Sequence, residues 1–271
     1  MTMLQAIDEN QQSEVVIRAI TQATTATFTD LYFRHTFLFF IQMGSKRVLC
    51  PTNGELIGNV GDMMIFPPNS MVTMENRPVL DRDYRAVGVS FSNDLVEAVF
   101  SDGYKAQAQP PGIQMMTAKV YEPSHILDII QATLEDATLP EAIRCHRLLE
   151  PLVWIKSNDV VLTPHQANAP LSQVRALLET DLSHPWRSKE VAEHFAMSEA
   201  TMRRWLARSG ERFSKILQNT RLESGLNRLQ TTDMPIAEIA LECGFKTPSH
   251  FSDSFKQRFG INPSQIRYVE E

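Results

Sequence analysis

The sequence predicts an α+β protein in two parts: an N-terminal β-barrel followed by two helices, then an all-α domain with two helix-turn-helix motifs. Three observations predict it. Residues 14–91 alternate short aromatic and β-branched runs with turn residues. From His125 onward the apolar residues fall at helical spacing. A helix-turn-helix pattern then occurs twice, about 48 residues apart.

The strand runs are FTDLYF, FLFFIQM, RVLC, MMIFPP and YRAVGVSF, separated by turn signals at Gly44, Asn53-Gly54, Gly58-Asn59, Gly61-Asp62 and Pro67-Pro68. This regular spacing suits a small antiparallel sandwich or barrel. Residues 92–100 read as a short helix, and residues 101–123, with Pro110-Pro111-Gly112, as irregular. His125–Ala137 carries Ile126, Ile129, Ile130 and Leu134 at helical spacing, and Glu141–Lys156 carries Ile143, Leu148, Leu152 and Ile155. These two helices can pack on the barrel or pair with a second subunit. Residues 157–170, polar with two prolines, read as a linker between a sensor or dimerisation domain (1–156) and a helical domain (171–271).

Composition narrows the function classes. With 271 residues, 43% hydrophobic and 21% charged, the chain is globular rather than disordered. The three cysteines, Cys50, Cys145 and Cys243, show neither disulfide nor metal spacing, and the N-terminus is polar and acidic. A reducing cytoplasm is the expected location, with no membrane association. No GxSxG, P-loop or HExxH run is present, so no catalytic residue is assigned and an enzyme is not expected. Asp81-Arg82-Asp83 reads as a solvated loop cluster and Cys50 as a packed strand end. His35 is the one histidine before residue 120, too few for a cupin-type metal site, and neither metal nor other cofactor is expected.

Net charge is −6 overall but uneven. Residues 1–169 hold 12 Lys and Arg against 19 Asp and Glu; residues 187–258 hold 12 against 9. The acidic front and mildly basic back imply different partners, with nucleic acid for the second.

Each repeat places an alanine in a short helix (Ala192, Ala240), then a tight turn at Ala196 or Gly244, then a second helix after an N-capping Ser198 or Thr247. In the first copy Met202, Trp205 and Leu206 face inward, while Ala200, Arg203, Arg204 and Ala207 face out, flanked by Thr201 and Arg208. In the second, Phe251, Phe255 and Phe259 form the inner stripe; Ser249, His250, Asp253, Lys256 and Gln257 face out. Between the copies Glu211–Gln230 reads as one helix of roughly 30 Å, close to the ~34 Å between successive major-groove faces.

The run Pro235–Arg267 carries Ile239-Ala240, Gly244-Phe245, Phe251, Phe255-Lys256, Phe259-Gly260, Pro263 and Arg267. It resembles the signature of the AraC/XylS family of transcription regulators. The segment from Leu182 through Ser198 looks like the first helix-turn-helix of the same family, in particular its enteric virulence and acid-response subgroup. Gly61-Asp62 and Phe66-Pro67-Pro68 are similar to a turn of the family's cupin-like sensor domains. The resemblance implies a DNA-binding regulator, with activation and contact with RNA polymerase as family-level expectations. Asn262 and Asp253 depart from the family pattern; Asn262 can still cap the last helix, and a carboxylate near phosphates is repelled unless it accepts from a cytosine amino group, so the second motif is expected to bind less strongly.

Arg203 and Arg204 are the base-reading candidates, since arginine pairs bidentately with guanine. Arg208, Arg212, Lys215, Lys246 and Lys256 are phosphate candidates, and Ala200, Thr201, Thr247, Ser249 and His250 lie on or beside the groove faces. Arg221 is read as a tie between the subdomains by a salt bridge, or as a DNA contact. Trp205, Phe251 and Phe255 are read as core.

A barrel fused to such a module implies a sensed signal. Phe37–Ile41 is apolar on both alternate faces, which fits a strand buried on both sides or lining a pocket. An anionic, largely apolar effector, fatty-acid-like by the subgroup resemblance, would contact Phe37 and Phe39 with Arg34, Lys46 or Arg47 near its head group. The alternative is a barrel that binds a protein partner and no small ligand. A homodimer through His125–Lys156 is also expected.

Overall fold

The computed structural model describes residues 14–101, 112–162 and 169–267. Parts of the expected irregular segment (102–111) and linker (163–168) therefore lie outside the described residues.

The strands are β1 (Val15–Gln22), β2 (Ala26–Phe33), β3 (Thr36–Met43), β4 (Ser45–Cys50), β5 (Gly54–Gly58), β6 (Met63–Phe66), β7 (Ser70–Arg77), β8 (Tyr84–Phe91) and β9 (Gln114–Met116). They form two antiparallel sheets, ordered β1-β8-β3-β6-β9 and β2-β7-β4-β5. The helices are α1 (Asn93–Phe100), α2 (Pro123–Glu135), α3 (Glu141–Ser157), α4 (Pro170–Glu179), α5 (Ser188–His194), α6 (Glu199–Ala207), α7 (Phe213–Thr231), α8 (Ile236–Glu242) and α9 (Pro248–Phe259). A 3₁₀ turn at Pro263–Ile266 follows.

The central strands of the five-stranded sheet, β3, β6 and β8, are buried on both faces, which explains the uninterrupted apolar run in β3. Phe39 and Ile41 face the opposite sheet, while Leu38 and Phe40 face α1, α2 and α3. Helices α2 and α3 pack on that outer face through Ile126, Leu127, Ile130, Leu148, Leu152 and Ile155. Their own outer side leaves Ile143, Val153 and Trp154 exposed.

Strand β9 corrects the expectation of an irregular 101–123. It has three residues, too few for alternation to show in sequence, and exists by pairing with β6. Nearby, the Gly61-Asp62 turn is fixed by the Asp62 carboxylate, which accepts from the Asn59 and Ala118 backbone amides at 2.8 and 2.9 Å. Among the described residues no helix is long and apolar enough to cross a membrane, and no His, Cys, Asp and Glu cluster has metal-site geometry.

Inside the barrel Lys46 is fully buried. Its Nζ donates to Asn76 Oδ1 at 2.5 Å and lies 4.0 Å from the Phe39 ring centroid. Asn76 donates to Gln22 Oε1, and Gln230 of α7 donates to the same oxygen, each at 2.8 Å. A chain of amides thus runs from the barrel interior to the helical half.

Burial lowers the Lys46 pKa from 10.5 to about 7. An unfolded chain takes up this proton as pH falls through 10.5; the folded chain takes it up only near 7. Stability attributable to Lys46 is therefore full above the upper value, is lost as pH falls between the two, and is flat below. Equilibrium urea unfolding from pH 7 to pH 9.5 should show the wild-type gaining up to about 1.4 kcal/mol per pH unit relative to Lys46→Met. Parallel curves for the two proteins would contradict this assignment.

Candidate nucleic-acid interface

The two turns of the repeat close in the same way. Met197 N donates to Ala192 O at 2.8 Å, and Phe245 N to Ala240 O at 2.9 Å. Ala196 N reaches Glu193 O and Gly244 N reaches Leu241 O, each at 2.9 Å. These paired bonds satisfy the carbonyls at the ends of α5 and α8 and require a positive φ at the turn. Gly244 has φ 78°; Ala196 adopts φ 52° despite its Cβ. Ala192 and Ala240 are buried where the helices cross.

The second helices of the two units, α6 and α9, begin on their expected caps. Ser198 Oγ accepts from Thr201 N, and Thr247 Oγ1 from His250 N, both at 3.2 Å. The inner stripes bury Met202 and Leu206 in one copy and Phe251, Phe255 and Phe259 in the other. Trp205, read as core, is half-buried and packs against the core of the first unit, tilted against Phe195 at 5.3 Å.

Ala200, Thr201, Arg203, Arg204, Arg208, Lys246, Thr247, Ser249, His250 and Lys256 are all exposed. None of the cations in this set has an ion-pair partner among the described residues. Some members have local duties. The Thr201 and Thr247 hydroxyls serve the caps, and the His250 ring stands edge-on to Phe245 at 5.5 Å. Lys215 pairs with Glu211 at 3.1 Å, while Arg212 is exposed at the start of α7. Asp253 is exposed on the outer face of α9.

Helix α7 holds the two units together. Arg221 joins them by hydrogen bonds to carbonyls rather than by a salt bridge: Nε donates to Leu182 O at 3.0 Å and Nη2 to His184 O at 2.7 Å. That loop is shaped by Asp181, whose carboxylate accepts from the Ser183 hydroxyl at 2.6 Å and from the His184 amide at 3.0 Å. The hydroxyl bond and its amide neighbours hold the Asp181 carboxyl below the usual range. Gly244 packs against the same place: a Cβ there would lie 2.2 Å from Leu182 O. Arg228 pairs with Glu242 of α8 at 2.6 Å. Arg267 donates to the carbonyls of Leu229, Thr232 and Met234, tying the C-terminal turn to the end of α7.

The effector candidates are divided. Phe37, Phe39 and Lys46 share the barrel interior, with Phe37 and Phe39 rings 4.6 Å apart. Arg47 points the other way along β4 and pairs with Glu55. Arg34 pairs with Glu179 of α4 at 3.0 Å.

The profile of the family described as a helix-turn-helix domain matches residues 191–268. The C-terminal domain is an AraC-type helix-turn-helix domain. The AraC-type domain is 28% identical over 94 residues to the HTH-type transcriptional regulator YdeO of Shigella flexneri, covering 35% of this chain and 37% of that protein. It is 31% identical over 91 residues to the urease operon transcriptional activator of Escherichia coli, covering 34% and 31%. The chain thus spans about a third of the length of these curated relatives. Over 95% of its length the chain shares its fold with the unsaturated fatty acid bound ToxT of Vibrio cholerae strain SCE256, at TM-score 0.64 and 15% identity, covering 96% of that chain.

Sequence reasoning missed Arg175, Glu223 and Arg258, which join α4, α7 and α9, and Gln230, which meets the barrel. Only the isolated charges of these helices are visible in sequence; their convergence is tertiary.

The two turns respond oppositely to substitution. Ala196→Gly relieves a left-handed alanine and should stabilise the protein by about 0.5–1 kcal/mol. Gly244→Ala drives a methyl into Leu182 O and should cost more than about 2 kcal/mol. Thermal unfolding of both variants checks the pair; equal effects would contradict the turn assignment.

Proposed function

We propose that this chain is a sequence-specific, DNA-binding transcription regulator that sets α6 and α9 into successive turns of the major groove. The observation that carries the reading is the matched pair of capped helices whose ten candidate DNA contacts are all exposed. Phosphate neutralisation by Arg208, Lys246 and Lys256 supplies affinity; Arg203 and Arg204 supply base discrimination. The relatives named as regulators and as an activator support a regulatory, activating role, and a cytoplasmic location belongs to the same reading. Recruitment of RNA polymerase belongs to the same reading.

Control is assigned to residues 1–156, joined through 157–170 to the AraC-type domain at 171–271. The finer reading is an anionic apolar effector seated on Phe37 and Phe39 with its head group at Lys46. A buried lysine amine without a carboxylate partner supports it, as does the fatty acid in ToxT, which shares the fold. A protein partner, or a second copy of this chain, is the alternative. The exposed Ile143, Val153 and Trp154 on α3 favour it.

Selection of duplexes from a random pool by the full chain tests the reading. The selected duplex should bind with an affinity that falls steeply with salt. Arg203→Ala and Arg204→Ala should each cost about 1–3 kcal/mol on that duplex and less on random DNA. Equal losses on both would make them phosphate contacts, and no enriched duplex would overturn the function. A long-chain unsaturated fatty acid should shift the Kd of wild-type protein but not of Lys46→Met. An unchanged wild-type Kd would favour the protein-partner form.

A further inference from the structure

The ten outward-facing candidates are exposed, so the barrel does not cover them; beside the Gln22–Gln230 and Ala23–Ile266 bonds, the barrel meets the helical half at an ionic cluster. Glu223, on α7, is its hub. Arg175 of α4 meets Glu223 with both terminal nitrogens, at 2.6 and 3.3 Å, and Arg258 of α9 donates to it at 2.6 Å. One carboxylate therefore joins the first unit, the connecting helix and the second reading helix. The three side chains are 4%, 12% and 12% exposed, so solvent screens them little.

Strand β2 closes the cluster from both ends. A bulge between Phe28 and Leu31, with Asp30 at φ 51°, brings the Asp30 carbonyl within 3.2 Å of Arg258 Nη2. Phe28 meets Phe259 edge-on at 5.4 Å. At the other end the Tyr32 ring lies under the Arg175 guanidinium at 4.7 Å, and Arg34, just past the strand, pairs with Glu179. The cluster is poorly satisfied for its burial: the Nε atoms of Arg34, Arg175 and Arg258 are buried with no acceptor among the described residues. Buried charge of this kind is costly, and it is a weak device for stability alone.

We propose that β2 and the Glu223 hub form a bracket that fixes the relative placement of α6 and α9, making Arg34, Arg175, Glu223 and Arg258 positioning residues for DNA recognition. This rests on the DNA-binding function proposed above and goes beyond it. The barrel governs binding by setting the distance and rotation between two exposed reading helices, not by masking them. The quantity it controls is discrimination between DNA half-site spacings. One inserted base pair rotates the second half-site by roughly a tenth of a turn, so a rigid pair of readers is penalised and a loose pair adapts.

The test uses the full chain and the duplex it selects from a random pool, with versions carrying one base pair inserted or deleted between the half-sites. Wild-type protein should lose about tenfold or more in affinity on either altered spacing. Glu223→Gln opens the hub; the double variant Arg34→Gln with Tyr32→Leu releases the Tyr32–Arg34 end of the β2 bracket, leaving Asp30–Arg258, Phe28–Phe259 and the AraC-type domain in place. Both should keep their affinity for a duplex carrying one half-site and lose most of the spacing penalty. A merely structural role would lower all affinities together. Should Glu223→Gln fail to fold, the barrel-side variant decides alone. Wild-type spacing discrimination in that variant overturns the bracket while leaving the DNA-binding function standing; a wild-type chain that enriches no duplex removes both.

Discussion

Helix α7 is the constraint on which the rest of the molecule depends. It is 19 residues long, about 28 Å, and is continuous between the two helix-turn-helix units. Along it, Arg221 holds the loop before α5, Glu223 holds α4 and α9, Arg228 holds α8, and Gln230 meets the barrel. Gly225 permits a close approach: a Cβ there would lie 2.6 Å from the Phe251 ring, so α9 could not sit where it does. A rigid beam with both readers fastened to it converts two weak binding elements into one site, because the second engages without a fresh loss of rotational freedom.

The barrel is fastened to the same beam. Its doubly buried sheet gives it a firm wall, and in its interior the buried Lys46 starts an amide chain that ends on α7. A second connection runs backbone to backbone, from Ala23 N to Ile266 O at 2.8 Å. Any event in the barrel that shifts β1, β2 or Lys46 therefore has a short path to the helix that sets reader geometry. Population shift between two placements of the readers is the physical form such control would take.

Much of this was legible in sequence for a definite reason. Local rules govern the reading helices: Ser198 and Thr247 cap them, Gly244 turns before one, and the phenylalanines at 251, 255 and 259 mark an inner face. Period-two and period-3.6 patterns separated barrel from helices. Ala196 stands at the turn the repeat places there, its turn bonds matching those of Gly244. The misses are tertiary. Strand β9 owes its existence to β6. Arg34 read as an effector contact because it lies near apolar strands, yet its partner Glu179 is far away in sequence. Gln22 and Gln230 meet across 208 residues, and nothing local to either announces it.

The central claim is that one chain presents two readers, held at a fixed separation, to one face of DNA. Hydroxyl-radical footprinting of the full chain on its selected duplex tests it most directly. The account predicts two protected patches on the same face, centred about 10 base pairs apart, with Arg203→Ala or Arg204→Ala weakening one patch and Lys256→Ala the other. A single patch that is lost as a whole in every variant would contradict it.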